Sequence, residues 1–306
     1  MTRLTVATCQ FPVDARIERN CRYVIWQMRT AKERGAQLVH FPEGALSGYA
    51  GADFEDFRGF DWESLESATR RVLALAAELR LWVVLGSAHR LTGEHKPHNS
   101  LFVVDDTGRI ADRYDKRFCS GDPEGRTGDL AHYTPGDHPV VFTVGGVRCA
   151  TLICYDFRFP ELYRDYRRQG VQLVLHSFHA GGLPPGKVAA IREAVGEDVL
   201  RFNTADTYPG ITMPASATAA AAANHFWMSC PNSSARHSCW GAFFVRADGV
   251  TTGRLPRGRT GVLLSTVDTG APLYDSTAHW RDRAMAGVLH SGTTVRDPRS
   301  ADRTGL

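Results

Sequence analysis

A carboxylate, an ammonium group and a thiol each follow a segment of the chain that has the pattern of a β-strand. Glu43 comes after the apolar run QLVHF and a proline, Lys116 follows IADRYD, and Cys154 follows VRCATLI. In α/β sheets, loops at the strand ends bring reactive groups from distant segments together. A thiol beside an acid and an ammonium group could therefore carry out nucleophilic catalysis.

Each of these residues, taken alone, also fits a role without chemistry. A cysteine at the end of an apolar strand is more often a small core residue than a nucleophile. Glu43 beside a turn and Lys116 after a hairpin strand could both be ordinary solvated side chains. The chemical hypothesis therefore depends on the three residues as a set.

The elements that would position this set alternate between strands and helices. Apolar runs predict strands over 4–11, 37–41, 81–88 and 171–176, and two hairpins over 101–114 and 140–153. Apolar residues at helical spacing predict helices over 14–35, 65–79 and 160–169. A strand–helix–strand order favours parallel pairing, so we predict an α/β fold. One domain is expected over 1–268, followed by a polar tail over 269–306 that is either disordered or packed on a partner subunit.

The composition is that of an ordinary globular protein and argues against several classes. The 306 residues are 43% hydrophobic and 23% charged, and the net charge of +3 does not indicate a nucleic-acid-binding surface. No apolar run approaches the ~20 residues of a membrane span, and the first residues lack the apolar segment of a secretory signal. The seven cysteines are too scattered for a disulfide framework. We expect a cytoplasmic protein that binds neither membranes nor nucleic acid.

Three segments of the chain together resemble the signature segments of the carbon–nitrogen hydrolase family, the nitrilase superfamily. They are FPEGALSGY at 41–49, YDKRF at 114–118 and LICYDFRFPELYR at 152–164. The third is close to the form found in the amidase-like branches of the family. Accessory matches are HNSL at 98–101 and YTPGD at 133–137, and the resemblance spans residues 4–268.

The resemblance implies a four-layer αββα sandwich and a triad of Glu43, Lys116 and Cys154. In that scheme Glu43 is the general base and Cys154 attacks the carbonyl carbon of a small linear amide. Lys116 and the backbone N–H of Tyr155 stabilise the oxyanion. Ammonia or an amine leaves, and water hydrolyses the thioester. The family also implies a homodimer or larger homo-oligomer with a small-molecule substrate.

A second carboxylate often supports the triad in this family, and two positions compete for that role. Glu124, in Pro-Glu-Gly, matches an aliphatic-amidase segment, whereas counting back from YTPG points near Asp129. We favour Glu124, because its longer side chain matches the usual residue type. Possible substrate-pocket residues are Tyr49, Phe118, Phe178 and His179. The long excursion over 181–223 is expected to cap or reshape that pocket.

Other functions on the same triad remain open from the sequence. They are nitrile hydrolysis, N-carbamoyl hydrolysis and acyl transfer, or a non-catalytic scaffold. Nitrilases proper tend to have Cys-Trp-Glu at the nucleophile, whereas this chain has Cys-Tyr-Asp at 154–156. No cofactor or metal is expected: His176 and His179 form an HxxH pattern, but on a strand those two side chains point to opposite faces.

Overall fold

The first β-sheet comes mainly from the N-terminal half of the chain in this computed structural model, which describes residues 2–304. Its strands are β1 Arg3–Gln10, β2 Leu38–His40, β3 Trp82–His89, β4 His98–Val104, β5 Ile110–Asp115 and β12 Gly261–Asp268. Their order is β12–β1–β2–β3–β4–β5. Strands β1 to β3 are parallel and the other neighbours antiparallel. The carboxyl ends of β2, β3 and β5 therefore lie at one edge.

The second β-sheet repeats this plan with strands from the C-terminal half. Its strands are β6 Val141–Val144, β7 Val147–Ile153, β8 Leu173–Ser177, β9 Trp227–Cys230, β10 Phe243–Val245 and β11 Thr251–Arg254. They are arranged in the order β11–β10–β9–β8–β7–β6. The three central strands β7, β8 and β9 are parallel, so their carboxyl ends also share one edge.

Helices connect the parallel strands and cover the sheets. They are α1 Ile17–Glu33, α2 Trp62–Leu79, α3 Pro160–Arg168, α4 Pro185–Glu193, α5 Tyr208–Asn224, α6 Arg281–Met285 and α7 Pro298–Ala301. Asp61 caps the N-terminus of helix α2, because its side chain accepts a hydrogen bond from the Ser64 N–H at 2.9 Å. Thr207 caps α5 in the same way, and Pro209 lies in its first turn, where a missing N–H costs nothing.

The two sheets pack face to face, and helices cover the outer face of each. Along β1, Leu4 and Val6 belong to the core shared with the second sheet, whereas Ala7 and Cys9 belong to the core formed with α1 and α2. This alternation follows from the two-residue period of a strand. Helices α3 and α5 cover the outer face of the second sheet. The predicted four-layer αββα sandwich is confirmed.

The predicted elements agree with the structure to within a few residues through β8. The expected parallel unit at the N-terminus is confirmed by the pairing of Val6 with Leu38. The sequence analysis did not predict strands β9 to β12. Three of these have only three or four residues, and all four depend on neighbouring strands for their definition.

The tail after β12 packs on the domain that precedes it. Arg281 forms two hydrogen bonds of 2.8 and 2.9 Å with the carboxylate of Asp275. The hydroxyl of Thr277 donates to the carbonyl of Ala223 at 3.4 Å, at the end of α5. The α3 residue Arg168 donates to the carbonyl of Met285 at 3.1 Å. This part of the tail therefore packs on α3 and α5 of the same chain. Packing of the tail on a partner subunit stays a prediction.

Candidate active site

Glu43 lies in the loop that follows β2, where backbone contacts to both sheets hold it. Its N–H donates to the carbonyl of Phe178, just after β8, at 3.3 Å. On the other side the loop crosses β3 at Gly86, where a Cβ atom would lie 2.0 Å from the carbonyl oxygen of Pro42. Only glycine permits this approach. The Glu43 side chain is consequently buried, with 1% of its surface exposed.

Lys116 follows β5 and brings its ammonium group to the same edge. Its Nζ lies 2.8 Å from Oε1 of Glu43 and 2.8 Å from Oδ2 of Asp129. Asn99, at the start of β4, donates from Nδ2 to Oε1 of Glu43 at 2.8 Å and accepts the Lys116 N–H at its carbonyl at 2.9 Å. The sequence analysis did not single out Asn99, although it lies within the HNSL match.

The second carboxylate beside Lys116 is Asp129, and the expectation for Glu124 is wrong. Asp129 is buried and accepts hydrogen bonds from the hydroxyl of Tyr49 and the N–H of Ser120. Glu124 has 60% of its side chain exposed and forms an ion pair with Arg126 at 3.2 Å. The loop carrying both acids turns inward only after Glu124, at a glycine with φ +58° that directly precedes Asp129.

Cys154 lies at a sharp turn between β7 and the short 3-10 helix Cys154–Arg158. Its φ of +39° is unusual for a residue with a side chain. Asp156 stabilises this turn, because its carboxylate accepts hydrogen bonds from the Ile153 N–H at 2.9 Å and the Tyr114 hydroxyl at 2.7 Å. A third, from the Phe118 N–H at 2.9 Å, links the turn to the loop after Lys116.

His176 holds the backbone of the turn at Cys154 by a hydrogen bond. Its Nε2 donates to the carbonyl of Cys154 at 3.2 Å, and its Nδ1 accepts from the hydroxyl of Tyr163 at 2.9 Å. Burial lowers the pKa of His176 to about 3, so the ring is neutral. His176 therefore acts as a hydrogen-bonding side chain of the core.

Charges within the cluster set the protonation state of each group. Burial alone would lower the pKa of Lys116, but the carboxylates of Asp129 and Glu43 raise it well above its usual value. Burial and the Glu43 carboxylate raise the pKa of the Cys154 thiol, and Lys116 only partly offsets them. The resting cluster thus holds a protonated thiol, with a net charge of −1 from two carboxylates and one ammonium group.

One buried acceptor in this cluster is unused. Among the residues that the structure describes, Oε2 of Glu43 has no hydrogen-bond partner, whereas Oε1 has two. Leaving a buried carboxylate oxygen unpaired costs free energy. A carboxylate oxygen without a partner is suited to accept a proton, and the Cys154 thiol interacts with the same carboxylate through its charge and a side-chain hydrogen bond, both of which raise the pKa of the thiol.

The cluster lies at the inner end of a cavity of about 330 Å³. The lining residues with polar or reactive groups include Tyr49, Lys116, Asp129, Cys154, Tyr155 and His179. Two predicted pocket residues are not among the lining. Phe118 stacks on Phe159 at 3.6 Å between ring centroids, and Phe178 is fully buried against His176. Both aromatic rings therefore pack beside the site and do not form its wall.

His179 lines the cavity as a member of an ion pair. Its Nε2 lies 3.0 Å from Oδ2 of Asp53, and its ring stacks on Tyr49 at 5.1 Å. Burial opposes protonation, but the Asp53 carboxylate raises the pKa of His179 above its usual value. No sequence pattern marked Asp53, because it lies in an irregular segment far from His179 in the chain.

The excursion over 181–223 supplies one wall of the cavity. Helix α4 contributes Lys187 and Ile191, the segment before it contributes Leu183, and the first turns of α5 contribute Pro209 and Met213. Apart from Lys187, these side chains are apolar. The expectation that this excursion shapes the pocket agrees with its position.

Among residues 2–304, no three His, Cys, Asp or Glu side chains converge as metal ligands would. Over the same part of the chain, no helix is both long enough and apolar enough to cross a bilayer.

Comparison with known proteins identifies a family and several relatives. A family model described as carbon–nitrogen hydrolase matches residues 5–271. The "Hydrolase in agr operon" of Staphylococcus lugdunensis is 31% identical over 147 residues, which are 47% of this chain and 58% of that protein. The "Nitrilase homolog 2" of Dictyostelium discoideum is 30% identical over 52% of this chain and 49% of its own length. The "Omega-amidase NIT2" of Homo sapiens is 26% identical, covering 58% and 63%. These matches span from 49% to 63% of the relatives' lengths.

Solved structures share the fold along nearly the whole chain. A cysteine-to-alanine mutant of the Nesterenkonia AN1 amidase from the nitrilase superfamily aligns with a TM-score of 0.70 and 22% identity, covering 94% of this chain and 96% of that one. A glutamate-to-leucine mutant of the same amidase gives a TM-score of 0.70 and covers 94% and 98%. At this identity the comparison supports the fold.

Proposed function

This chain belongs to the carbon–nitrogen hydrolase family, and from that premise we propose that it hydrolyses the C–N bond of a small linear amide through a cysteine thioester. The observation that carries the proposal is the buried cluster itself. Glu43 and Lys116 are in contact at 2.8 Å, and Cys154 opens into the same cavity. A non-catalytic scaffold would have no need of this costly arrangement of buried charges.

The reaction begins with proton transfer from Cys154 to Glu43. The thiol is protonated at rest, so it needs a base, and Oε2 of Glu43 is the unused acceptor. Because Glu43 becomes neutral as the thiolate forms, the net charge of the cluster stays at −1. The thiolate then attacks the carbonyl carbon of the amide.

The tetrahedral intermediate carries an oxyanion that needs hydrogen-bond donors. Lys116 has three N–H donors, of which Glu43 and Asp129 engage two. The third and the backbone N–H of Tyr155, at the start of the short helix, are the donors we assign to the oxyanion. One such donor typically contributes about 3–4 kcal/mol to transition-state stabilisation.

Glu43 then returns its proton to the leaving nitrogen, and ammonia or an amine departs. A water molecule that loses its proton to Glu43 attacks the thioester, the C–S bond breaks to release the carboxylic acid, and Glu43 returns the proton to the sulfur to restore the thiol. The glutamate thus acts twice as base and twice as acid. Its rigid position, held by Asn99 and Lys116, supports all four steps.

The small cavity favours a small substrate, since ligand pockets usually span 300–1,000 Å³ and this one is near the lower limit. The Nesterenkonia amidase of the same fold has been solved with butyramide, and with the acetamide moiety of fluoroacetamide bound at its active-site cysteine. These complexes support a short amide in preference to the nitrile, carbamoyl and acyl-transfer alternatives.

Release of ammonia from a panel of short linear amides tests the proposed function. We expect turnover by the unaltered protein and none by Cys154→Ser. Fluoroacetamide should add an acetamide mass to the unaltered protein at Cys154. Absence of both turnover and adduct, or an adduct on another residue, would contradict the proposal.

We also propose a reducing, cytoplasmic location and a homodimer or larger homo-oligomer. All seven cysteines are free in the structure, which is typical of proteins from reducing compartments. Light scattering checks the oligomeric state, and a monomer at micromolar concentration would contradict it.

A further inference from the structure

A second buried ion pair lies at the wall of the active-site cavity, between Asp53 and His179. Nε2 of His179 lies 3.0 Å from Oδ2 of Asp53, and the side chains of His179 and Asp53 are 0% and 4% exposed. Taking two charges out of water costs free energy that their mutual attraction does not always offset. Neither side chain takes part in the proposed reaction steps, so the pair needs another explanation.

Tyr49 connects this ion pair with the catalytic cluster. Oδ2 of Asp53, which lies against His179, also accepts the Tyr49 N–H at 2.9 Å. The imidazole ring stacks on the phenol ring of Tyr49, with 5.1 Å between the ring centroids and an interplanar angle of 14°. Asp53 therefore holds the backbone of Tyr49 directly and the ring of Tyr49 through the imidazole.

The other end of Tyr49 contacts the groups that hold Lys116. Its hydroxyl donates to Oδ1 of Asp129, whose other oxygen lies 2.8 Å from Nζ of Lys116. The same ammonium group lies 5.8 Å from the centre of the Tyr49 ring, within the range of a cation–π contact. A continuous series of contacts thus runs from Asp53 to the ammonium group that we assign to the oxyanion.

The protonation of His179 decides whether the ion pair exists. Burial opposes protonation of the ring, but the carboxylates of Asp53 and Glu43 raise the pKa of His179 above its usual value of 6.5. Tyr49, which stacks on the ring, stays neutral because burial raises its pKa well above the usual value. Once the ring loses its proton, the Asp53 carboxylate remains as a buried negative charge without a cation beside it.

We propose that His179 is a positioning residue for the amide hydrolysis. Its ion pair with Asp53 holds the Tyr49 ring, and that ring and its hydroxyl keep the ammonium group of Lys116 where the oxyanion forms. The assignment rests on the proposed function, which gives Lys116 this role. Deprotonation of His179 removes the ion pair and adds a negative charge near the site, and both changes disfavour the oxyanion.

Substitutions of His179 test this role by separating kcat from KM. His179→Phe keeps an aromatic ring against Tyr49 but carries no charge, and His179→Gln keeps a hydrogen-bond donor but has neither the ring nor the charge. For a short amide, we expect kcat to fall about ten-fold in both variants, because the oxyanion donor is displaced. KM should change by less than about two-fold, whereas a residue that only contacts the substrate would chiefly affect KM.

The pH dependence of kcat is a readout that a purely structural role would not change. In the unaltered protein, kcat should decrease as the pH rises through the pKa of His179, because the ring loses its charge there. This decrease should be absent in His179→Phe. In Asp53→Asn it should move to lower pH, because the amide oxygen still accepts the Tyr49 N–H but no longer raises the pKa of the ring.

His138→Gln is the matched control for these variants. The Nδ1 atom of His138 lies 3.7 Å from Oδ1 of Asp137, but this histidine is outside the cavity and its side chain is 45% exposed. The variant should retain the kcat and the pH profile of the unaltered protein. An unchanged kcat in both His179 variants, or an undiminished alkaline decrease of kcat in His179→Phe, would overturn the proposal.

Alkylation of Cys154 separates this proposal from the proposed function. The reaction with iodoacetamide needs no amide turnover, and it depends on Lys116, which partly offsets the effects of burial and of Glu43 on the pKa of the thiol. Slower alkylation of folded His179→Phe protein supports the positioning role even where no tested amide is hydrolysed. Asp53→Asn provides the same test if His179→Phe does not fold. Equal alkylation rates and equal kcat in a protein that releases ammonia would reject the positioning role and leave the amidase standing.

Discussion

Two buried polar networks lie only a few residues apart in the chain, and they differ in how completely their hydrogen bonds are satisfied. The first joins the two sheets through His40 on β2. The ring nitrogens of His40 lie 2.9 Å from the Ser229 hydroxyl and 2.8 Å from the Ser177 hydroxyl. Ser177 donates onward to the carbonyl of Phe41 at 2.8 Å, and Thr8 bonds Ser229 at 2.7 Å.

In this series of hydrogen bonds between the sheets, the donor and the acceptor of each bond can be assigned in only one way. Because Ser177 donates to a carbonyl, it accepts from Nε2 of His40, so Nδ1 accepts from Ser229. Every ring nitrogen is used and the imidazole is neutral, and burial keeps its pKa well below the usual value. Such a network aligns two sheets and has no group left over for chemistry.

The second network, around Glu43, is charged and incomplete. It holds two carboxylates and one ammonium group in the interior, leaves Oε2 of Glu43 unpaired and ends at a thiol open to the cavity. The comparison teaches that buried polarity alone does not indicate a catalytic site. What sets the second network apart is an unpaired oxygen of a carboxylate that raises the pKa of a neighbouring thiol, and the proposed reaction depends on that pair.

The largest expected difference between the networks is in the loss of kcat on substitution, which should be greatest for Glu43→Gln. Glutamine keeps the shape of the side chain but cannot take the thiol proton, so kcat should fall by about 10²–10⁴. Alkylation of Cys154 should slow as well. His40→Gln is the matched change in the other network and should alter kcat by only a few-fold. A Glu43→Gln protein with a tenth or more of the original kcat would contradict the general-base role.

Asp129→Asn should have the next largest effect, because it removes one of the two carboxylates that hold Lys116. Loss of a partner in a buried ion pair costs about 3 kcal/mol in unfolding free energy, and displacement of the ammonium group should lower kcat by about 10². Denaturant unfolding and amide turnover measure the two effects.

Glu124→Gln is the matched control for that change. Its carboxylate is exposed and paired with Arg126, so we expect a change below about 0.5 kcal/mol and unaltered kcat. If Glu124→Gln were the more damaging of the two, the assignment of the supporting carboxylate to Asp129 would be wrong.

The smallest expected effect is a pH dependence of the contribution that His40 makes to the free energy of unfolding. The folded-state pKa of His40 lies below its unfolded value of about 6.5, so its contribution to stability is complete above pH 6.5 and decreases as pH falls. His40→Gln should be less stable than the unaltered protein at pH 7 by about 1–3 kcal/mol. The difference should shrink as the pH falls from 6.5 to 5. Urea unfolding at both pH values measures it, and a constant difference would mean that folding does not lower the pKa of His40.

The sequence was sufficient for the elements that follow a regular period and for the residues next to them. Apolar alternation located β1 and β2, and helical spacing located α1 and α2. Glu43, Lys116 and Cys154 follow predicted strands, and in the structure Lys116 and Cys154 line one cavity while Glu43 contacts Lys116 at 2.8 Å. The order of strands and helices along the chain predicts which strand ends lie at the same edge of the sheet. Residues that follow those strand ends are therefore predicted to lie near one another.

The positions of side chains in loops could not be predicted from local sequence patterns, because they depend on packing against segments that are distant in the chain. Glu124 and Asp129 lie five residues apart in one loop, and the residue types alone favoured the wrong one. Phe178 follows β8 directly, yet its ring turns into the core beside His176. Asn99 and Asp156 lie within segments that match the family, but their hydrogen-bond partners Glu43 and Tyr114 lie in other segments of the chain.

The sequence by itself determined an α/β fold, which follows from short-range periodicity, and three candidate reactive groups next to strands, whereas the αββα sandwich was an expectation from the family resemblance. Only the tertiary structure decided which acid supports Lys116, which oxygen of Glu43 is unpaired, and which side of α4 faces the cavity. Those outcomes depend on contacts between segments that are far apart in the chain. The free energy of such contacts cannot be predicted from a local pattern of residues.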